Sequence, residues 1–321
     1  GPWDRTALRR ELIRQIRRAH DPPPLVGIDH EGGRVSRLSP PFPSLPSPSR
    51  LGRLEMPGIC RWFAALIGRG LRSLGIQVDF APVLDLSTED ARDGIGDRAF
   101  SADPRMAARH AQQFLLGLRE AGVAGCLKHF PGLGGAPGDT HQTLPRMPAD
   151  PSLHEAALKP FRMLANQAVQ VMVAHAHYPG LSGESPLPAS LDRRIVYGLL
   201  REEIGFRGVI LSDDLEMEAV CRRAPFGELA VQAIRAGSDQ ILICHRADRI
   251  TEAHEALRRA ARSGDLDPVR LEASLRRVET LHRTPACGRP VEPFDQEEFD
   301  LVLHEMSSLT GEVDRALRRQ Q

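Results

Sequence analysis

Short apolar runs that alternate with amphipathic stretches, and charged residues closing most of those runs, predict an α/β fold built as a TIM-type (β/α)8 barrel. The apolar runs span 25–29, 78–85, 123–129, 169–175, 208–213 and 240–244. Each is short and lacks clean polar alternation, which is how strands buried on both faces of a parallel sheet read. Helices are predicted over 5–20, 58–74, 104–120, 152–168, 192–203, 226–236 and 249–263. Five of the six runs end in ionisable residues: Asp29-His30, Asp85, Lys128-His129, His175 and Asp213-Asp214. Charges at the carboxyl ends of so many strands meet at one point only if the sheet closes on itself. An open doubly wound sheet would gather its site at one switch point, and no GxGxxG follows any strand. Six strands are legible where eight are expected, and a helix opens the chain. The expectation is therefore a single barrel over 1–285 that lacks its first strand in this chain. A charged, helix-like tail over 286–321 reads as a capping or dimer helix.

Composition narrows the function. Of 321 residues 41% are hydrophobic and 26% charged, and Lys+Arg 42 balances Asp+Glu 42. A net charge of zero removes the basic field by which nucleic acid or an anionic membrane would be held. No apolar run approaches the ~18 residues of a spanning helix. The five cysteines are odd in number and scattered without CxxC, which argues against a disulfide framework and a zinc cluster. That usage and the lack of a visible signal peptide lead to an expected cytoplasmic location. Only two of the 42 basic residues are lysine, Lys128 and Lys159, so a retained lysine marks a place where a point charge is wanted.

Three segments carry chemistry. In 28–38 (IDHEGGRVSRL) a strand ends in Asp29-His30-Glu31, two glycines turn the chain, and Arg34 and Arg37 follow. Three ionisable groups at a strand end are costly unless they pair with each other or hold a ligand. Glu31 and Arg34 divide evenly between an internal ion-pair network and a ligand role, whereas Asp29 and Arg37 suit sugar hydroxyls. In 128–145, Lys128-His129 close a strand, and a loop with four glycines and two prolines leads to Asp139-Thr140-His141. A carboxylate beside an imidazole fixes its tautomer and stabilises its protonated form, although for the pair taken alone a turn-capping Asp and a solvated His are the simpler reading. In 208–220 a strand ends in Ser212-Asp213-Asp214 before a helix, which Asp214 or Ser212 is free to cap. Alternation lets only one aspartate face the barrel axis, where an ionised carboxylate serves as nucleophile or electrostatic partner. His129, His141, His175 and His177 show no i, i+4 helical spacing, and the HxH of His175 and His177 reads as satisfied core histidines rather than a metal site.

These residues, with DFAPVLDL (79–86), IGDRAF (95–100), KHFPG (128–132), GDTH (138–141), VMVAH (171–175), PASL (188–191), GFRGVILSDDLEM (205–217) and AGSDQILIC (236–244), resemble glycoside hydrolase family 3. The match runs in order from about residue 20 to 245. Within the family the chain is most similar to the single-domain bacterial β-N-acetylglucosaminidase branch, the NagZ type. The resemblance implies Asp213 as nucleophile and His141 with Asp139 as acid/base dyad. It implies Asp29, Arg37, Arg98, Lys128 and His129 as the contacts to N-acetylglucosamine, and no metal or organic cofactor. It further implies retaining hydrolysis that removes non-reducing N-acetylglucosamine from muropeptides during cell-wall recycling. Leu133 stands where the family commonly has His or Arg, and the loop is longer by Gly135; altered loop contacts with unchanged chemistry are expected. The alternatives are a phosphorylase on the same scaffold, because a neutral His repels phosphate less than a carboxylate does, and a non-catalytic sugar-binding protein.

Overall fold

A computed structural model describes residues 5–38, 40–88, 94–137, 144–183, 186–291 and 293–320. Helix α1 (Arg5–Arg18) leads into strand β1 (Gly27–Ile28), and a small hairpin, β2 (His30–Gly32) and β3 (Val35–Ser36), follows. Helices α2 (Pro48–Arg53) and α3 (Pro57–Ser73) precede β4 (Val78–Asp79), and α4 (Pro104–Glu120) precedes β5 (Ala124–Gly125) and β6 (Leu127–Phe130). Then come α5 (Pro151–Leu164), β7 (Gln170–Val173), α6 (Pro179–Ser182), a π-helix (Arg194–Glu203) and β8 (Val209–Asp214). The chain continues with α7 (Glu218–Cys221), α8 (Phe226–Ala236), β9 (Gln240–Leu242), α9 (Ala247–Ser263), α10 (Pro268–Arg283) and α11 (Gln296–Arg318).

All six predicted runs contribute parallel strands, and they pair in chain order. One sheet runs β1-β4-β5 and the other β6-β7-β8-β9, with β5 and β6 lying in the same run of chain. A parallel bridge between Val83 and Lys128 ties the first sheet's chain to the second. Sequential parallel pairing places every strand's carboxyl end at the same end of the molecule. This is an α/β fold, and no helix among the described residues is long and apolar enough to cross a membrane.

Helix starts follow local chemistry. Asp103, Asp150 and Asp267 each stand before a proline at the first helical position, and each carboxylate accepts a backbone N–H of the first turn. Helix α3 buries Cys60, Phe63, Ala64, Ile67 and Leu71, the stripe a 3.6-residue period dictates, and packs on α4. Helix α11 follows the same rule, burying Phe299, Val302, Met306, Leu309, Val313 and Leu317. It packs on α2 and α3, with the Phe299 ring edge-on to Phe42 at 5.5 Å, so its apolar face belongs to the main core.

Candidate active site

The strand ends build one cavity of about 670 Å3, and its lining includes Asp29, Arg37, Arg98, Lys128, His129 and Asp213. Asp29 follows β1 directly, and Arg37 lies just after the β2–β3 hairpin. That hairpin exists because Gly32 takes φ +90, with Pro46 O 2.5 Å from where a Cβ would stand. Arg98 ends a short 3-10 turn, Gly96–Arg98. Lys128 and His129 are neighbours on β6 joined by a cis peptide bond, both line the cavity, and the β6–β7 register shifts between Leu127 and Phe130.

Charge pairing organises the floor. The Lys128 ammonium, buried, lies 2.7 Å from both Asp29 Oδ1 and Glu31 Oε1. Arg98 donates to both oxygens of Glu31 at 2.8 Å. Burial alone would raise the Glu31 pKa, but Lys128 and Arg98 outweigh it and hold the group down at about 2. Burial likewise opposes the charge on Lys128, and the carboxylates of Glu31 and Asp29 prevail, raising it above the ordinary lysine range. Glu31 is thus the internal member of the network, and Arg34 pairs with Asp97 at 2.8 Å. Arg98 serves that network as well as the cavity, since both its Nε and its Nη2 are held by Glu31. Arg37 is exposed and makes no ion pair with a described residue. The His30 ring hydrogen-bonds to none of them and lies edge-on to Phe42.

Asp213 and Asp214 both border the cavity, and the β8–β9 register shifts between Leu211 and Asp214. Their surroundings differ. Burial works to raise Asp213, but the Lys128 charge, the imidazoles of His129 and His175 in their protonated form, and the Asp214 N–H lower it below the ordinary carboxylate value. Asp214 is raised, chiefly by burial. One correction concerns capping. Asp214 accepts from Glu216 N and Ser212 Oγ from Leu242 N, whereas α7 begins after Met217 without a side-chain cap. His175 Nε2 donates to Asp214 O at 3.0 Å and His177 Nε2 to Gly183 O at 3.0 Å. Both are satisfied core histidines, and the described residues hold no group of three or more metal-ligating side chains.

Asp139 and His141 lie outside the described residues. The chain approaches them through Leu133, which is buried and lines the cavity, and Gly134, where a Cβ would stand 2.2 Å from Leu86 O. Sequence reasoning missed the rim formed by Glu216, Cys244 and His245. The signal was there: the sixth apolar run ends in Cys244, with His245 next. His245 Nε2 lies 3.3 Å from Asp214 Oδ2, and Glu216 accepts the His245 N–H.

The pattern of the glycosyl hydrolase family 3 N-terminal domain matches residues 3–281. The chain is 38% identical over 242 residues to a β-hexosaminidase of Idiomarina loihiensis, covering 73% of this chain and 71% of that protein. It is 38% identical over 276 residues to β-hexosaminidase LpqI of Mycobacterium tuberculosis, covering 83% and 70%. The solved M. tuberculosis LpqI structure superposes with a TM-score of 0.80 at 35% identity, over 88% of this chain and 83% of that one. A family 3 β-N-acetylglucosaminidase from Paenibacillus sp. str. FPU-7 gives a TM-score of 0.85 at 33% identity over 95% of this chain. This chain spans 60% of that longer protein. With the family pattern running through most of its length, the chain belongs to glycosyl hydrolase family 3.

Proposed function

We propose that this glycoside hydrolase is a retaining exo-β-N-acetylglucosaminidase, with Asp213 as nucleophile and His141, oriented by Asp139, as acid/base, on a (β/α) barrel. The observation that carries the reading is one cavity in which a carboxylate kept ionised, Asp213, faces a fixed cluster of Lys128, His129, Arg98 and Asp29. Such a cluster offers charged donors and acceptors to sugar hydroxyls, while the lining also includes apolar Met172 and Leu242 for a ring face. The relatives named β-hexosaminidase and β-N-acetylglucosaminidase support the choice of sugar.

In the first step Asp213 Oδ attacks the anomeric carbon, the glycosidic bond breaks, and His141 gives its proton to the departing oxygen. In the second, His141 takes a proton from water, whose oxygen displaces Asp213 with retention. Retaining glycosidases ordinarily use two carboxylates about 5–5.5 Å apart. Here an imidazole replaces the second, with an unperturbed pKa of ~6.5 suited to neutral pH. The reaction needs no metal or organic cofactor.

The physiological substrates in this reading are peptidoglycan fragments with non-reducing N-acetylglucosamine, cleaved in the cytoplasm during cell-wall recycling. The five free thiols, three of them buried, support a reducing compartment. The test compares release from an aryl β-N-acetylglucosaminide, the matching β-glucoside and a muropeptide, with and without phosphate. Selective release of free N-acetylglucosamine is expected. Equal rates on the glucoside contradict the sugar assignment, and sugar 1-phosphate as product contradicts hydrolysis.

A further inference from the structure

The mechanism above gives no part to Asp85, yet its side chain is fully buried directly behind a cavity residue. Its Oδ2 lies 2.7 Å from His129 Nδ1. Its Oδ1 accepts the Leu133 N–H at 2.7 Å, and both oxygens stand 3.3 Å from the His129 backbone N–H. All these partners are nitrogens that donate to a carboxylate, so the site is built for an acceptor.

The Leu133 bond fixes which way the carboxylate faces: with Oδ1 held there, Oδ2 is left to the imidazole. A carboxylate only accepts, so at 2.7 Å His129 Nδ1 must carry the hydrogen. In the neutral ring, Nε2 is then a bare acceptor. In the unliganded protein Arg98 Nη2 donates to it only at 3.4 Å, a long contact that a closer sugar hydroxyl would displace, and both residues line the cavity. We propose that Asp85 is a positioning residue that fixes the Nδ1–H tautomer of His129, so that Nε2 accepts a hydrogen bond from a hydroxyl of the bound sugar. Arg98, held by Glu31, cannot substitute for this function, because a guanidinium only donates. The role rests on the glycosidase reading given above, but the tautomer does not.

Asp85→Asn is the informative change. The carboxamide oxygen can still accept from Leu133, which turns its NH2 toward His129 Nδ1. The ring must then move its hydrogen to Nε2, and a sugar hydroxyl that donates there loses its acceptor. The direct test is the 15N spectrum of the imidazoles in the unliganded protein, with His129 assigned by its loss in His129→Ala. The expected result is Nδ1–H in the wild type and Nε2–H in Asp85→Asn. In kinetics on an activated aryl β-N-acetylglucosaminide, Asp85→Asn is expected to lower kcat/KM about 10- to 100-fold, the range seen when the partner that orients a metal-bound imidazole is removed. The double variant with His129→Ala should be no slower than His129→Ala alone. An Nε2–H tautomer in the wild type, an unchanged rate in Asp85→Asn, or losses that multiply in the double variant would each overturn the proposal. The wild-type spectrum needs neither turnover nor a folded variant. A wild type inactive on the aryl substrate would sink the glycosidase reading while leaving the tautomer to be decided on its own.

Discussion

His30 sits between two carboxylates that serve the site, yet it does the opposite of what they do. Asp29 and Glu31 reach Lys128, while the His30 ring is buried against Phe42 and neither ring nitrogen has a hydrogen-bond partner. Burial therefore lowers its pKa from 6.5 to about 4. The unfolded chain takes up this proton near 6.5 and the folded chain only near 4, so between those values the unfolded state binds more protons. Stability should fall as pH drops through that window, by an amount on the order of 3 kcal/mol. His30→Leu removes the titrating group and should flatten this part of the profile. Denaturant midpoints from pH 7 to 4.5 check it; parallel profiles for both proteins would show that His30 is not the cause. Reading the sequence alone grouped Asp29, His30 and Glu31 as one crowded set, because their partners stand far away in the chain. The Arg98–Glu31 bond spans 67 positions, and no local pattern announces it.

Elements with a strong local signal were legible nearly to the residue. Helices predicted over 104–120 and 226–236 are α4 and α8 with the same bounds, the first set by the Asp103-Pro104 start and both by their apolar period. Helix α10 escaped notice because its apolar stripe is thin: of its 16 residues only Leu281 is buried. The β2–β3 hairpin escaped because its strands are only two or three residues long, and Glu31 on β2 is placed by a long-range ion pair to Lys128 rather than by β-propensity. Helix α11, expected as a capping or dimer helix, packs its apolar face on the core, with Phe299 1% exposed between Phe42 and Phe294. Phe299→Ala should cost about 3–5 kcal/mol in unfolding free energy while folded protein keeps its kcat. A loss under ~1 kcal/mol would mean that α11 contributes little to the core. The segment after β6 carries the proposed acid/base. His141→Ala should slow glycosylation strongly with a disaccharide and little with an activated aryl leaving group, which departs without a proton. Equal losses in single-turnover measurements would remove His141 from that role.

Across the molecule, opposite charges balance, and the site comes from where they are placed rather than from their sum. Parallel strands paired in chain order put residues 29, 85, 128, 129 and 213 at one end of the fold, which is why strand-end residues could be picked from the sequence. The sequence could not show which aspartate of the pair is held below its ordinary pKa and which is raised. That depends on His129, His175 and Lys128, contributed by two other strands and their ends, facing Asp213, whereas Asp214 meets burial without comparable compensation. In the proposed mechanism Asp213 becomes covalently bonded to the sugar. The measurement that tests it most directly uses a fluorinated N-acetylglucosaminide whose glycosyl-enzyme turns over slowly, followed by proteolysis and mass mapping of the labelled peptide. One glycosyl group per chain, attached to Asp213, is expected. A label on Asp214, or rapid release of inverted sugar with no adduct formed, would contradict it.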